Sequence, residues 1–194
     1  MRIFVAGASG VIGRHLVPSL VEGGHDVAGM TRTPGKVDWL RQVGAEPIVC
    51  DVFERDKLLR AVAGFSPDVV VHQLTDLPDD PAQVREQAAA NCRMRREGTT
   101  NLVDAACTCG ARVIAQSVAW SLPGDGGRAV EFLEHTVLGA DGVVVRYGQF
   151  FGPGTYYPVT PPGPPRIHID EAARRTVTLL EAPSGIVDIV DDSG

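Results

Sequence analysis

Lysine is nearly missing from this chain of 194 residues: Lys36 and Lys57 are its only two, and none follows position 57. With a formal net charge of −6 as well, a nucleic-acid partner is excluded, because phosphate backbones are held by clustered Lys and Arg. No apolar run reaches the roughly 18 residues of a membrane span. The opening "MRIFVAGASG" is too short an apolar stretch for a signal peptide, so a cytoplasmic protein with no membrane partner is expected. Cysteines are few, and Cys50, Cys92, Cys107 and Cys109 follow no zinc spacing; they read as free thiols, and no metal is expected. Tyrosine is limited to Tyr147, Tyr156 and Tyr157, a scarcity that matters below.

What remains is an ordinary globular composition, 44% hydrophobic and 22% charged with a mean hydropathy of +0.03, enough to build one buried core. Short β-branched runs recur at 2–6, 26–30, 46–50, 68–72, 111–115, 142–146 and 185–190. They are continuously apolar rather than alternating, as befits strands covered on both faces. Segments with helical spacing separate most of them, at 11–22, 34–43, 54–63, 81–109, 128–138 and 170–181. Asp79 or Asp80 with Pro81 would open the long helix and Gly110 would close it. The pattern predicts an α/β fold: a single Rossmann-type domain over 1–194, with a doubly wound parallel sheet of about seven strands. Two stretches rich in Gly and Pro, 121–128 and 152–166, are expected as loops over the site.

The stretch "VAGASGVIGRHL" follows the first strand and opens the first helix. In that setting Gly7 makes a tight turn, Gly10 lets backbone approach a pyrophosphate, and Gly13 lets the helix pack on the strand. Ser9, Val11 and Ile12 complete the phosphate loop, whose helix N-terminus supplies N–H donors and positive dipole. After the second strand, "GMTRTPGK" offers no carboxylate for a ribose 2′-hydroxyl, whereas Arg32 offers a guanidinium for a 2′-phosphate. NADP is therefore expected, with NAD the alternative. Asp51 and Val52, after the third strand, stand where an acid would accept the adenine amino group; Asp51 would otherwise cap the next helix.

The glycine spacing, "CDV", "VVVHQLT", "EGTTNLVDAA", "RYGQFFGPGT" and "IHIDEAA" occur in an order that resembles the extended short-chain dehydrogenase/reductases, specifically the NAD-dependent epimerase/dehydratase family. The resemblance covers nearly the whole chain. It implies that Gln73, Leu74 and Thr75 pass under the cofactor and that 147–152 lies beside the nicotinamide. It also implies a Tyr-x-x-x-Lys pair, Tyr as acid/base and Lys lowering its pKa, near a Ser or Thr. This chain departs from that pattern: Gly126 and Val130 align with the pair, and no lysine exists downstream to replace it. Ser117, or Val118 beside it, takes the serine position, and Arg95 replaces the family's Asn three residues before "GT". The loop before 128 and the stretch between "GPGTYYP" and "RIHIDEAA" look shortened, so little or no separate substrate domain is expected. A homodimer through a long helix pair is implied by the resemblance alone.

Acid/base work would fall to residues at the carboxyl ends of the strands, with Ser117, Tyr147 and Tyr156 as catalytic candidates and His72, Gln73, Trp120, Gln149 and Tyr157 in reach. His72, inside a strand, reads also as a satisfied interior group, His135 as solvated, and His168 as ordering the last helix. Three functions are open. The first is an atypical NAD(P)-dependent oxidoreductase or epimerase acting on a small or polyketide-like carbonyl or hydroxyl substrate. The second is a non-redox lyase, cyclase or isomerase on the same fold, and the third a non-enzymatic NADP-binding sensor.

Overall fold

The computed structural model describes residues 1–191; the last three positions of the expected 1–194 domain lie outside them. Seven strands form one sheet: β1 (Arg2–Ala6), β2 (Asp26–Thr31), β3 (Glu46–Val49), β4 (Val69–His72), β5 (Arg112–Val118), β6 (Val143–Tyr147) and β9 (Gly185–Ile189). Their order is β3-β2-β1-β4-β5-β6-β9 and every pairing is parallel. The chain steps outward from β1 in one direction, returns, and continues from β4 in the other. That reversal between β1 and β4 opens a crevice at the carboxyl ends of both strands, where ligands of such sheets bind. This is the Rossmann-type doubly wound fold.

Valine and isoleucine runs build the strands because side chains alternate between two faces and both are covered. On one face Ile3, Val5, Val71, Ile114 and Val145 pack with α1 (Gly13–Glu22), α2 (Val37–Gln42) and α7 (Ile169–Val177). On the other, Phe4, Met30, Val70, Val113 and Val144 meet α3 (Arg55–Phe65), α5 (Thr99–Thr108) and α6 (Gly124–Gly139). Each such side chain removed from water contributes about 1.5–3 kcal/mol, so the two layers fix the sheet and hold its carboxyl edge in place.

Three expectations change. The long helix begins later: Asp80 accepts the Ala82 amide at 2.9 Å, but that cap serves a short 3-10 turn, Pro81–Gln83. The helix proper runs as α4 (Ala88–Arg93), a π turn (Met94–Gly98) and α5, and ends at Gly110 as expected, with the Gly110 amide on the Cys107 carbonyl. Second, 121–128 is a loop only as far as Pro123, and α6 takes the rest. Gly127 there serves close packing: a Cβ on it would collide with the Leu122 carbonyl oxygen. Asp125 anchors that first turn through Arg96 at 2.7 Å and Arg128 at 3.1 Å. Third, a small parallel pair, β7 (Gln149–Phe151) with β8 (Arg166–His168), flanks the 152–165 loop. Neither strand exceeds three residues, too short for a periodic signal.

Candidate functional site

The chain turns at Gly7, whose φ of +87° suits glycine, and a Cβ there would lie 2.7 Å from the Gln73 carbonyl oxygen. The ends of β1 and β4 can therefore approach each other. Gly10 donates its amide to the Gly7 carbonyl at 3.0 Å. Gly13 has no room for a side chain, because its Cβ would run into the carbonyl oxygens of Gly7 and Ala8. Folded this way, the loop leaves the amides of Val11, Ile12 and Gly13 without an acceptor among the described residues. Free first-turn donors at a dipole's positive end fit a pyrophosphate.

At the end of β2 the side chains are donor-rich. Ser9 Oγ and Thr31 Oγ1 share a hydrogen bond of 2.9 Å, and the Thr33 amide donates to Thr31 Oγ1. The Arg32 guanidinium donates to Asp76 Oδ1 at 2.9 Å, an acid in the loop after β4 that no spacing rule singles out. Asp51 accepts the Phe53 amide at 3.0 Å and so orders the approach to α3, while the Val52 carbonyl accepts from Asn101 at 3.0 Å.

His72 at the end of β4 is fully buried. Its Nδ1 accepts the Leu74 amide, so Nε2 carries the proton and donates to Thr99 Oγ1 at 3.0 Å. Burial pulls its pKa down to about 4. The unfolded chain then binds the extra proton between about pH 6.5 and 4, and stability falls across that window as pH drops. Thermal unfolding should show this group costing about 3 kcal/mol by pH 4, and His72→Asn should remove that share of the slope. A wild-type profile that stays flat from pH 6.5 to 4 would contradict the assignment.

Gln73 donates through Nε2 to the Tyr147 hydroxyl at 3.3 Å. That hydroxyl donates to Thr176 Oγ1 at 2.6 Å, and Thr176 donates to the Ala172 carbonyl at 2.7 Å. The chain of donors runs away from solvent, and burial pushes the Tyr147 pKa up to about 12. Tyr147 is thus a buried strut between β6 and α7. Thr75 and Leu74 lie half-buried in the loop beyond Gln73.

Ser117 is also occupied. It donates to Glu134 at 2.6 Å, and Arg146 grips both oxygens of the same carboxylate at 2.8 and 2.6 Å. Burial alone would raise the Glu134 pKa, but the hydrogen bonds from Arg146 and Ser117 and the Arg146 charge hold it below the ordinary range. Sequence reading missed this triad, although Arg146 interrupting the apolar "VVVRY" was its available signal. Val118 faces the opposite side of β5, and Gly126 and Val130 bring no titratable group to α6. The exposed Tyr156 donates to the Pro78 carbonyl and so straps the 152–165 loop to the loop after β4. Tyr157 reaches Gln149 at 3.4 Å, and Trp120 is exposed just past β5. His168 caps α7 through the Asp170 amide at 3.3 Å. The structure therefore brings the phosphate loop, the β2 end and the 73–76 loop together at one crevice. It gathers no acid/base pair there among the described residues.

Residues 3–140 match the model of the NAD dependent epimerase/dehydratase family. A Streptomyces sp protein named 3-diazoavenalumate denitrifying reductase is 34% identical over 239 residues, covering 99% of this chain and 76% of its own. That alignment is longer than this chain, so the relative carries additional residues within the matched region. A 3-beta-hydroxysteroid dehydrogenase of Mycolicibacterium neoaurum is 30% identical over 113 residues, covering 57% of this chain and 30% of its own. Among solved structures, the UDP-glucose 4-epimerase of Thermus thermophilus in complex with NAD superposes with a TM-score of 0.81 at 20% identity, covering all of this chain and 79% of the epimerase. With a family match over most of its length and a fold that agrees with it, the chain belongs to the NAD dependent epimerase/dehydratase family, as an NAD(P)-dependent oxidoreductase or epimerase that uses a nicotinamide cofactor on a small-molecule substrate.

Proposed function

We propose that this enzyme is an NADP-dependent reductase whose acceptor takes a hydride without needing a proton from a Tyr-Lys pair. The observation that carries this reading is the combination of an intact nucleotide crevice with tied-up acid/base candidates. Tyr147 donates inward to Thr176, Ser117 donates to Glu134, and Tyr156 is held on Pro78. A carbonyl reduced by hydride becomes an alkoxide and needs a donor at once. An aryl diazonium does not: the ring gains the hydride, the carbon–nitrogen bond breaks, its electron pair leaves with neutral dinitrogen, and no proton is consumed. The Streptomyces relative, by its name, reduces a diazo compound with loss of nitrogen.

In this reading Gly7, Ser9, Gly10, Val11, Ile12 and Gly13 hold the pyrophosphate, Asp51 and Val52 border the adenine, and Gln73, Leu74 and Thr75 lie under the nicotinamide half. The bound dinucleotide supplies the hydride. Arg32 takes the 2′-phosphate and exchanges Asp76 for it. A charge-assisted hydrogen bond of about 1.5–3 kcal/mol sets the scale. Arg32→Ala should weaken NADPH binding by about 10- to 100-fold and leave NADH within a factor of about three; equal losses for both would remove Arg32 from the 2′-phosphate. A cytoplasmic location and a homodimer complete the reading, the latter to be tested by sedimentation.

Incubation of the protein with an arenediazonium and NADPH deuterated at C4 tests the reaction. Deuterium on the arene carbon, with nitrogen release above the protein-free rate, is expected. Label retained on the dinucleotide would overturn the proposal. A carbonyl or hydroxyl substrate, small or polyketide-like, is the second reading, favoured by the similarity to a hydroxysteroid dehydrogenase. Reduction of a ketone panel in place of the diazonium would select it.

A further inference from the structure

Arg95 lies in the π turn, half-buried, with neither a carboxylate nor a hydrogen-bond acceptor among the described residues. Its neighbours are not so placed: Arg93 pairs with Glu97 at 2.7 Å and Arg96 with Asp125 at 2.7 Å. Asn91 and Thr99, one turn before and one turn after, show which way this helix face looks. Asn91 accepts the Asp76 amide at 3.0 Å, and Thr99 meets His72 at 3.0 Å. Arg95 stands in the widened turn between these two residues, both of which meet the end of β4 or the loop after it. Burial lowers its pKa, opposed only by the Cys92 thiol. A partly desolvated guanidinium with no internal partner is costly unless something outside the chain completes it.

The rim of the same edge is apolar and exposed. Val11, Leu77, Trp120, Tyr156, Tyr157 and Val159 are large exposed hydrophobic side chains, and all stand in loops at the carboxyl ends of strands. A collection of this kind around a crevice marks a binding surface for an apolar, flat ligand. We propose that the substrate is an aromatic acid, its ring lying against Trp120 and the Tyr156 strap and its anionic group on the Arg95 guanidinium. The proposal rests on the reading of the site as a reductase of aryl acceptors and names the second feature that such an acceptor carries. Arg95 acts here as a specificity residue that fixes which way the ring enters. A guanidinium suits a carboxylate because its fork of donors matches two oxygens at once.

The test is equilibrium binding of cinnamate and of cinnamamide, equal in size and different in charge, to protein saturated with NADP+. The acid should bind at least about tenfold more tightly than the amide, as a charge-assisted bond implies. Arg95→Gln should bring the two within about twofold of each other, with Arg95→Lys in between and Trp120→Ala weakening both alike. Unfolding curves for the Arg95 variants confirm that they are folded. Equal affinity for acid and amide in the wild type, no binding of the acid, or a preference that survives Arg95→Gln overturns the assignment. So does a loss of NADP+ affinity in Arg95→Gln as large as the loss for the acid, because the cation would then serve the dinucleotide. The readout needs no turnover: a diazonium left unreduced while the acid is still preferred defeats the proposed reaction and leaves this site standing.

Discussion

Gly13→Ala should lower the affinity for NADPH by more than about 100-fold, because the new methyl group would enter the loop after β1 from beneath. Its two nearest atoms, the carbonyl oxygens of Gly7 and Ala8, belong to backbone and cannot rotate away. The loop must open, and the amides of Val11, Ile12 and Gly13 lose their common direction. Forced overpacking also costs about 1–3 kcal/mol of stability. Gly64→Ala is the matched control: a Cβ there meets nothing within 4 Å, and the position lies inside α3. It should leave binding unchanged and raise stability by about 0.5–1 kcal/mol. Titration calorimetry and thermal unfolding of the two variants separate the outcomes, and a Gly13→Ala protein that binds NADPH normally would refute the cradle.

Glu134→Ala should be the most destabilising single change at the carboxyl edge that leaves the phosphate loop intact. The carboxylate side chain is 9% exposed and receives three hydrogen bonds, from Ser117 and twice from Arg146. Stranding a fully buried partner would cost about 3–5 kcal/mol. Arg146 is 37% exposed and can hydrate, so a cost of about 2–3 kcal/mol is expected, or about 5–10 °C in melting temperature for a domain of this size. The effect has a pH signature. A carboxyl whose folded pKa is lowered gives stability that is present above its ordinary value, 4.5, and is lost as pH falls through the folded pKa. The gap between wild type and Glu134→Gln should therefore be full at neutral pH and close in acid. A gap that is the same at pH 7 and pH 3 would show that packing, rather than charge, holds the triad.

The strand pattern and the glycine loop are legible in the sequence because both follow from local rules: continuous apolar runs mark strands buried on both faces, and three glycines between a strand and a helix mark a cradle. Boundaries are less legible. Glycines 124, 126 and 127 read as a loop because glycine clusters favour turns, whereas Gly127 is required in the helix by its close approach to the Leu122 carbonyl oxygen, which composition does not reveal. Tyr147 illustrates the same limit at the site. Its residue type suggests an acid/base group, but the direction of its hydroxyl is set by Thr176, 29 positions away. Ser117 likewise looks available until Glu134 is seen to hold it. Asp76 beside Arg32 and the solitary state of Arg95 are facts of pairing, and no spacing rule carries them.

The π turn at Met94–Gly98 divides one helix into two halves. Such a turn is an α-helix holding one extra residue, and each residue of an α-helix turns the next by about 100°. Deleting a single position within 94–98 would restore regular winding and leave Leu102, Ala105 and Ala106 in their layer of the core. The bulge takes up its extra residue by turning less per residue, so the deletion would leave Asn91 against the Asp76 amide and remove only the widened turn that carries Arg95. In this helix the extra residue is taken up where it stands: the core dictates one half, the crevice dictates the other, and a change of length by one is absorbed between them.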